Sequence, residues 1–144
     1  MYPEPMIAPM RQELTRFGVA ETRTATELEQ AVKETKGTLM IVVNSVCGCA
    51  AGKMRPAVGT AMRHVNLPDR AVTVFAGQDR DATDKARSYF TGYPPSSPSI
   101  GLLRDGKLVY MMERHQIETR DALSIAADLT AAFDKFCVKA VAGN

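Results

Sequence analysis

The sequence predicts an α/β fold in which a central mixed β-sheet is flanked by helices. Two nearly continuous apolar runs, residues 38–44 and 71–76, are typical of strands that are covered on both faces. Helical patterns alternate with these runs, which indicates parallel strand pairing. Near the C-terminus two further strands flank Asp105-Gly106, a two-residue turn pattern that predicts an antiparallel hairpin at one edge of the sheet.

Length and composition fit one folded domain. The chain has 144 residues, of which 45% are hydrophobic, so it can bury a substantial core. We expect a single domain over residues 1–144, with its core at about 18–137 and an N-terminal helical extension at about 7–17. The 18 basic and 16 acidic residues leave a net charge of only +2, and aromatic residues make up 6%. Both values argue against a nucleic-acid partner, which usually needs a basic surface and stacking platforms.

The N-terminal third is expected to hold two helices and a short strand. Apolar residues recur at helical spacing before a glycine suited to ending the helix: Ile7, Met10, Leu14, Phe17 and Gly18. Residues 19–22 predict a short edge strand. Thr24 and Glu27 fit a capping box, which predicts that the second helix begins there and continues until Gly37.

The chain then turns through residues 45–49 into a third helical pattern. Its apolar positions are Met54, Val58, Ala61, Met62 and Val65. Pro56 lies inside this pattern and should kink the helix or mark a restart, because proline removes a backbone donor.

The remaining elements follow from local patterns. Residues 81–90 predict a helix with acidic residues in its first turn, and the proline-rich stretch 93–98 predicts a rigid loop. After the hairpin, Thr119 should open a final helix whose apolar positions include Leu123 and continue to Phe136.

This element order matches the thioredoxin fold, with an additional helix ahead of it. In that fold a cis proline faces the active-site cysteines, and Pro98, after Ser97, stands in the corresponding place. The resemblance implies a cis Ser97–Pro98 bond. It also implies that Ser97 and Pro98 bind substrate, since an exposed backbone can pair with an extended segment by strand addition.

The residues that carry the chemistry are Cys47-Gly48-Cys49, where a buried strand ends and a helix begins. Unpaired backbone N–H groups and the positive end of the helix dipole stabilise a thiolate there. Cys47 is nearest the strand end and is therefore expected to be the exposed nucleophile. Lys53 and Arg55 could add positive potential as accessory residues, or they could be ordinary solvated side chains.

The spacing of the two cysteines favours thiol–disulfide exchange. Residues two apart have Cα atoms at most ~7 Å apart, and a tight turn brings them within disulfide range. A disulfide across Gly48 alone closes a small ring, which should be strained and should exchange readily. Gly48 suits this turn because glycine adopts backbone conformations that other residues avoid. Reductase and isomerase activity are both consistent with such a pair.

Two other classes of function remain open: a metal-binding module and a redox-sensing module that acts through a partner. A structural zinc site needs four ligands. Beyond the pair, the obvious nitrogen and sulfur donors are Cys137, His64 and His115, which lie on separate predicted elements. We therefore expect no metal site. Cys137, beside Phe136 in the last helix, fits a buried structural residue.

The N-terminus and the apolar runs bear on location. Residues 1–6 lack the basic segment and apolar run of a signal peptide. The longest apolar run, 39–43, is far shorter than the ~20 residues that cross a bilayer. We expect a cytoplasmic protein with no membrane partner.

Several stretches together resemble the bacilliredoxin family, over about Met10 to Cys137. They are Val-Asn-Ser-Val-Cys-Gly-Cys-Ala-Ala-Gly at 43–52, Arg-Pro-Ala at 55–57, Thr-Val-Phe-Ala-Gly-Gln-Asp at 73–79, Tyr-Phe-Thr-Gly at 89–92, Pro-Ser-Ser-Pro-Ser at 95–99, Arg-His at 114–115, Ile-Glu at 117–118, and Leu-Thr-Ala-Ala-Phe-Asp at 129–134 followed by Cys137. The resemblance implies a thioredoxin-like bacterial oxidoreductase that removes bacillithiol, a low-molecular-weight thiol, from protein cysteines.

The resemblance also implies roles for the site residues. Cys47 would be the attacking cysteine and Cys49 the resolving one, with Gly48 contributing to substrate binding. Cys137 matches a family cysteine near the C-terminus and is a third accessory candidate. The expected partners are S-thiolated client proteins and bacillithiol or a similar thiol as co-substrate, with no cofactor. Disulfide isomerase activity is the alternative, and we expect a monomer or a weak homodimer.

Overall fold

The computed structural model describes residues 1–138 as helices packed around one five-stranded sheet. The helices are α1 (Glu4–Thr15), α2 (Ala25–Glu34), α3 (Arg55–Ala61), α4 (Arg80–Ser88), α5 (Arg114–Glu118) and α6 (Ala122–Phe136). The strands are β1 (Ala20–Glu21), β2 (Thr38–Asn44), β3 (Arg70–Phe75), β4 (Ser99–Arg104) and β5 (Lys107–Met112). A π-helical turn, Ala50–Met54, runs directly into α3. In the described residues no helix is both long and apolar enough to cross a membrane.

The sheet is mixed, as predicted, and β2 lies at its centre. The strand order is β1-β3-β2-β4-β5. The β1–β3 and β3–β2 pairs are parallel, whereas β2–β4 and β4–β5 are antiparallel. All seven residues of β2 are buried, which explains the continuous apolar run that predicted it. In the hairpin both Asp105 (φ 51°) and Gly106 (φ 80°) adopt the left-handed backbone that a two-residue turn requires.

Both faces of the sheet are covered, because successive residues of β2 point to opposite sides. Met40 and Val42 belong to a core that includes residues of α1, α3 and α6. Ile41 and Val43 belong to a second core that includes residues of α2 and α4. The alternation places β2, and the loop that follows it, between two packed layers.

Three boundary predictions were wrong for identifiable reasons. The third helix ends at Ala61, so Val65 lies beyond it and is 88% exposed. Thr119 ends α5, a five-residue helix that was not predicted. Helix α6 begins after Asp121, whose carboxylate accepts the Ser124 N–H at 2.8 Å. Leu123 is 75% exposed.

Helix α1 is fixed to the sheet by a buried arginine. Arg11 is 4% exposed and donates to both carboxylate oxygens of Asp79, at 2.6 and 2.9 Å, and to Glu4 at 2.8 Å. Its guanidinium also lies 5.4 Å from the centre of the Phe75 ring. These contacts join α1 to the C-terminal end of β3, which is the edge of the sheet where the cysteine pair lies.

Candidate active site

The Cys-Gly-Cys segment forms the junction between β2 and the helix that follows. The strand ends at Asn44, and helical backbone begins at Gly48. The carbonyl of Cys47 accepts hydrogen bonds from the N–H groups of Ala50 and Ala51, at 3.0 and 3.2 Å. Cys47 therefore lies at the helix start, and the predicted junction of strand and helix at the Cys-Gly-Cys segment is confirmed.

Cys47 and Cys49 form a disulfide, with their Cα atoms 5.4 Å apart. Both are partly buried, whereas Gly48 between them is exposed. One expectation about Gly48 was wrong, because its φ is outside the left-handed region that would require glycine. A Cβ at this position would meet no atom within 4 Å. Gly48 has helical backbone. Because glycine has no side chain, it leaves open space beside the disulfide.

Arg55 is buried beneath the loop that carries Cys47. It is 3% exposed and forms an ion pair with Glu13 of α1, so the interpretation of Arg55 as a solvated side chain was wrong. Its Nη1 donates to the Asn44 side chain and to the Ser45 carbonyl, both at 3.0 Å. The Ser45 hydroxyl in turn accepts the Cys47 N–H at 3.3 Å. Arg55 thus positions the residues that lead into Cys47.

We expect Arg55→Met to lower the free energy of unfolding by about 1–3 kcal/mol, because the buried Ser45 carbonyl loses its donor. It should also slow alkylation of reduced Cys47, since the loop loses its support and a nearby positive charge. Urea unfolding measures the first effect, and the pH profile of alkylation measures the second. Arg55→Lys should recover part of both. Arg63→Met, at an exposed position after α3, is the control; equal behaviour of the two methionine variants would contradict the assignment.

Lys53 binds to α5, and no hydrogen bond from it to the cysteine pair is seen in residues 1–138. Its Nζ donates to the Glu118 carbonyl at 2.5 Å, at the C-terminal end of α5. It does not line the groove beside Cys47. A role for Lys53 in activating the thiol remains a prediction.

A surface groove of about 390 Å³ opens beside Cys47. Its lining comes from six parts of the chain: Tyr2, Ser45, Val46, Cys47, Ala76, Gly77, Arg87, Ser97 and Arg114. The Ser97–Pro98 bond is cis, as expected, and Pro98 is buried. The fold therefore brings Ser97 into the same groove as Cys47, whereas Pro98, Gly48 and Cys49 lie outside its lining.

Comparison with known proteins identifies the family. A family model described as "Disulphide isomerase" matches residues 2–137. A bacilliredoxin of Koribacter versatilis is 65% identical over 137 residues, covering 95% of this chain and 94% of the relative. The chain belongs to the bacilliredoxin family. A bacilliredoxin of Geobacillus kaustophilus is 50% identical over 137 residues and covers 94% of each chain.

Solved structures agree on the fold. A mutant thioredoxin from Halobacterium salinarum superposes with a TM-score of 0.59 at 17% identity, covering 86% of this chain and 95% of that one. A thioredoxin of Fasciola hepatica gives a TM-score of 0.53 at 17% identity, covering 78% and 98%. The predicted thioredoxin-like fold is confirmed. Bacilliredoxin membership together with the cysteine pair makes the protein a thiol–disulfide oxidoreductase.

The third cysteine of this bacilliredoxin-family chain lies far from the pair. Cys137 is 8% exposed at the end of α6, and its thiol contacts Thr38 at the start of β2. Burial raises the pKa of the Cys137 thiol, and the negative charge of Asp69 acts in the same direction. Cys47 follows the other end of β2, about 20 Å away at 3.3 Å per residue. The fold does not bring these two thiols together.

Sequence reasoning missed Arg87 and Arg114, which come from α4 and α5 and meet only at the groove. Arg114 lies in a stretch that resembles the family, but no local pattern links it to Cys47. His115, beside it, is 68% exposed. Across residues 1–138 no three histidine, cysteine or acidic side chains cluster closely enough to hold a metal.

Proposed function

We propose that this protein reduces mixed disulfides between protein cysteines and a low-molecular-weight thiol, bacillithiol or a similar one. The single observation that carries the proposal is the Cys47–Cys49 disulfide at a helix start, with Cys47 lining an open groove. We call the small thiol that is bound to the client cysteine the thiol cap.

The proposed reaction consists of two exchanges that balance with thiols alone. The Cys47 thiolate attacks the cap sulfur of the mixed disulfide, forms a Cys47–cap disulfide and releases the client cysteine as a thiolate. The Cys49 thiolate then attacks the Cys47 sulfur, or a second molecule of the small thiol attacks the cap sulfur, which releases the Cys47 thiolate and forms a disulfide between the two small thiols. The first route forms the Cys47–Cys49 disulfide and releases the cap thiolate. Two molecules of the small thiol then return the Cys47–Cys49 disulfide to two thiols and leave as their own disulfide, so on either route the small thiol is the co-substrate that supplies the electrons.

The groove and its walls support this assignment. Ser97 lines the groove with Cys47, and Gly48 leaves one side of the pair open. We propose that Ser97 and Pro98 bind the client backbone beside the disulfide, and that Gly48 allows its close approach. S-thiolated proteins of the cytoplasm are the proposed partners, with the enzyme acting as a monomer or weak homodimer.

Disulfide isomerase activity is the second candidate. The family description "Disulphide isomerase" favours it, and a Cys47 thiolate could equally attack a disulfide within a misfolded client. A scrambled two-disulfide client would measure this activity, whereas a client with one capped cysteine measures cap removal.

The test uses a client protein whose single cysteine carries bacillithiol. We expect reduced protein to release the client thiol, and a Cys49→Ser variant to accumulate a cap adduct that intact-mass and peptide mass spectrometry map to Cys47. An adduct mapped to Cys137, or no release of the client thiol, would overturn the proposal. Disulfide rearrangement in the scrambled client that is faster than cap removal from the capped client would favour the isomerase.

A further inference from the structure

Two arginines from different elements face the groove that contains Cys47. Arg87 comes from α4, and Arg114 is the first residue of α5. Each donates to a backbone carbonyl of the loop before Pro98. Arg87 Nη2 bonds to Ser96 at 3.3 Å, and Arg114 Nη1 bonds to Ser97 at 3.2 Å. These bonds hold the guanidinium groups at the groove without neutralising their charge.

The charge of Arg87 is uncompensated. Among residues 1–138 it forms no ion pair, and its buried Nε has no hydrogen-bond partner. A buried donor without a partner is unfavourable, and an acceptor that reaches it would remove that cost. Arg114 does pair with Glu118, at 3.1 Å, but both side chains are nearly half exposed. An exposed pair of this kind contributes little, so its arginine can bind another carboxylate.

A guanidinium group matches the geometry of a carboxylate, which it binds through two parallel hydrogen bonds. The chain as a whole has a net charge of only +2, so two arginines beside the reactive sulfur are a local concentration of positive charge. The groove volume of about 390 Å³ falls in the size range of small-molecule sites. A thiol cap joined to Cys47 by a disulfide would place its remaining atoms next to this sulfur.

We propose that Arg87 and Arg114 form a binding site for a carboxylate group on the thiol cap. The inference rests on the proposed function and adds the chemical class of the cap, an anionic thiol rather than a neutral or cationic one. The arginines act on the cap and not on acidic side chains of the client, because they share a small groove with the sulfur that receives the cap.

The test varies the charge of the cap at nearly constant length. One peptide with a single cysteine is capped with 3-mercaptopropionate, 2-mercaptoethanol or cysteamine, which are similar in length and carry a carboxylate, a hydroxyl and an ammonium group. We expect kcat/KM to be roughly tenfold higher for the carboxylate cap than for the hydroxyl cap, the ratio that one charge-assisted hydrogen bond supplies. Cysteamine should be the slowest of the three. Added salt should reduce these ratios.

The arginine variants test the residues themselves. In Arg87→Gln and Arg114→Gln the carboxylate-to-hydroxyl ratio should fall towards one, and Arg87→Lys should keep part of it. Arg80→Gln removes an exposed arginine of α4 outside the groove and should retain the wild-type ratio. Circular dichroism and thermal unfolding identify any variant that fails to fold.

Three results would overturn the inference. The first is a wild-type ratio near one. The second is an equal slowing of all three caps in the arginine variants, which would mean that the arginines only support the loop before Pro98. The third is a kcat/KM that changes when an acidic residue is placed beside the peptide cysteine and does not change with the charge of the cap. Equal removal of every cap by Cys47 would leave the proposed function intact, whereas no removal of any cap would contradict that function.

Discussion

Cys47→Ser is expected to slow removal of a thiol cap by a factor of at least ~10³, because loss of an enzyme nucleophile costs three or more orders of magnitude. A serine hydroxyl at the helix start cannot form the disulfide intermediate. The rate of client-thiol release under saturating capped client measures the effect. A variant that kept more than a tenth of the wild-type rate would contradict the assignment of Cys47 as nucleophile.

The other two cysteines give the matched comparisons. Cys49→Ser should complete the first exchange and then stop at the adduct until a small thiol is added, since the resolving thiolate is lost. Cys137→Ala should retain the wild-type rate, because Cys137 is buried near the far end of β2. Its raised pKa also makes the reactive thiolate form of Cys137 rarer than that of an ordinary cysteine.

Arg11→Met is expected to lower the free energy of unfolding by about 3–5 kcal/mol, the cost of breaking a buried ion pair from one side. Asp79 is 10% exposed and would keep a buried charge without its partner. Helix α1 would also lose its main polar contact with the end of β3. Urea unfolding of the oxidised protein measures the change.

Two further variants make this result specific. Arg16→Met, at an exposed position just after α1, should change the free energy of unfolding by no more than about 0.5 kcal/mol. Asp79→Asn added to Arg11→Met should recover part of the loss, because it removes the unpaired charge. A loss below about 1 kcal/mol in Arg11→Met, or no recovery in the double variant, would show that the ion pair does not stabilise the fold in this way.

Local sequence patterns predicted the secondary-structure elements whose formation depends on neighbouring residues. The apolar run of β2 and the Asp105-Gly106 turn gave the observed bounds, since burial on both faces and a left-handed turn leave clear patterns. The capping box of α2 forms as predicted, with Thr24 and Glu27 accepting each other's N–H groups. Helix α5 was missed because five residues are too few for a periodic pattern.

The candidate site likewise contains residues that local sequence patterns predicted and residues that they missed. The two cysteines are only two positions apart in sequence, and their placement at a strand–helix junction was predictable. The cis bond before Pro98 was predictable once the fold was matched. The burial of Arg55 depends on Glu13, 42 residues away, and a sequence pattern does not contain that contact. Arg87 and Arg114 likewise meet only after the sheet has assembled.

Tyr2 lines the groove beside Cys47, and its backbone is held by Gln78 through hydrogen bonds of 2.9 and 3.0 Å. The first residues of the chain are thus a wall of the groove. A tag fused ahead of Met1 would stand beside this groove, and we expect it to slow reactions at Cys47. Val138 lies beside Cys137 and Thr38, at the opposite end of β2 from Cys47, so the last described residue leaves the groove free.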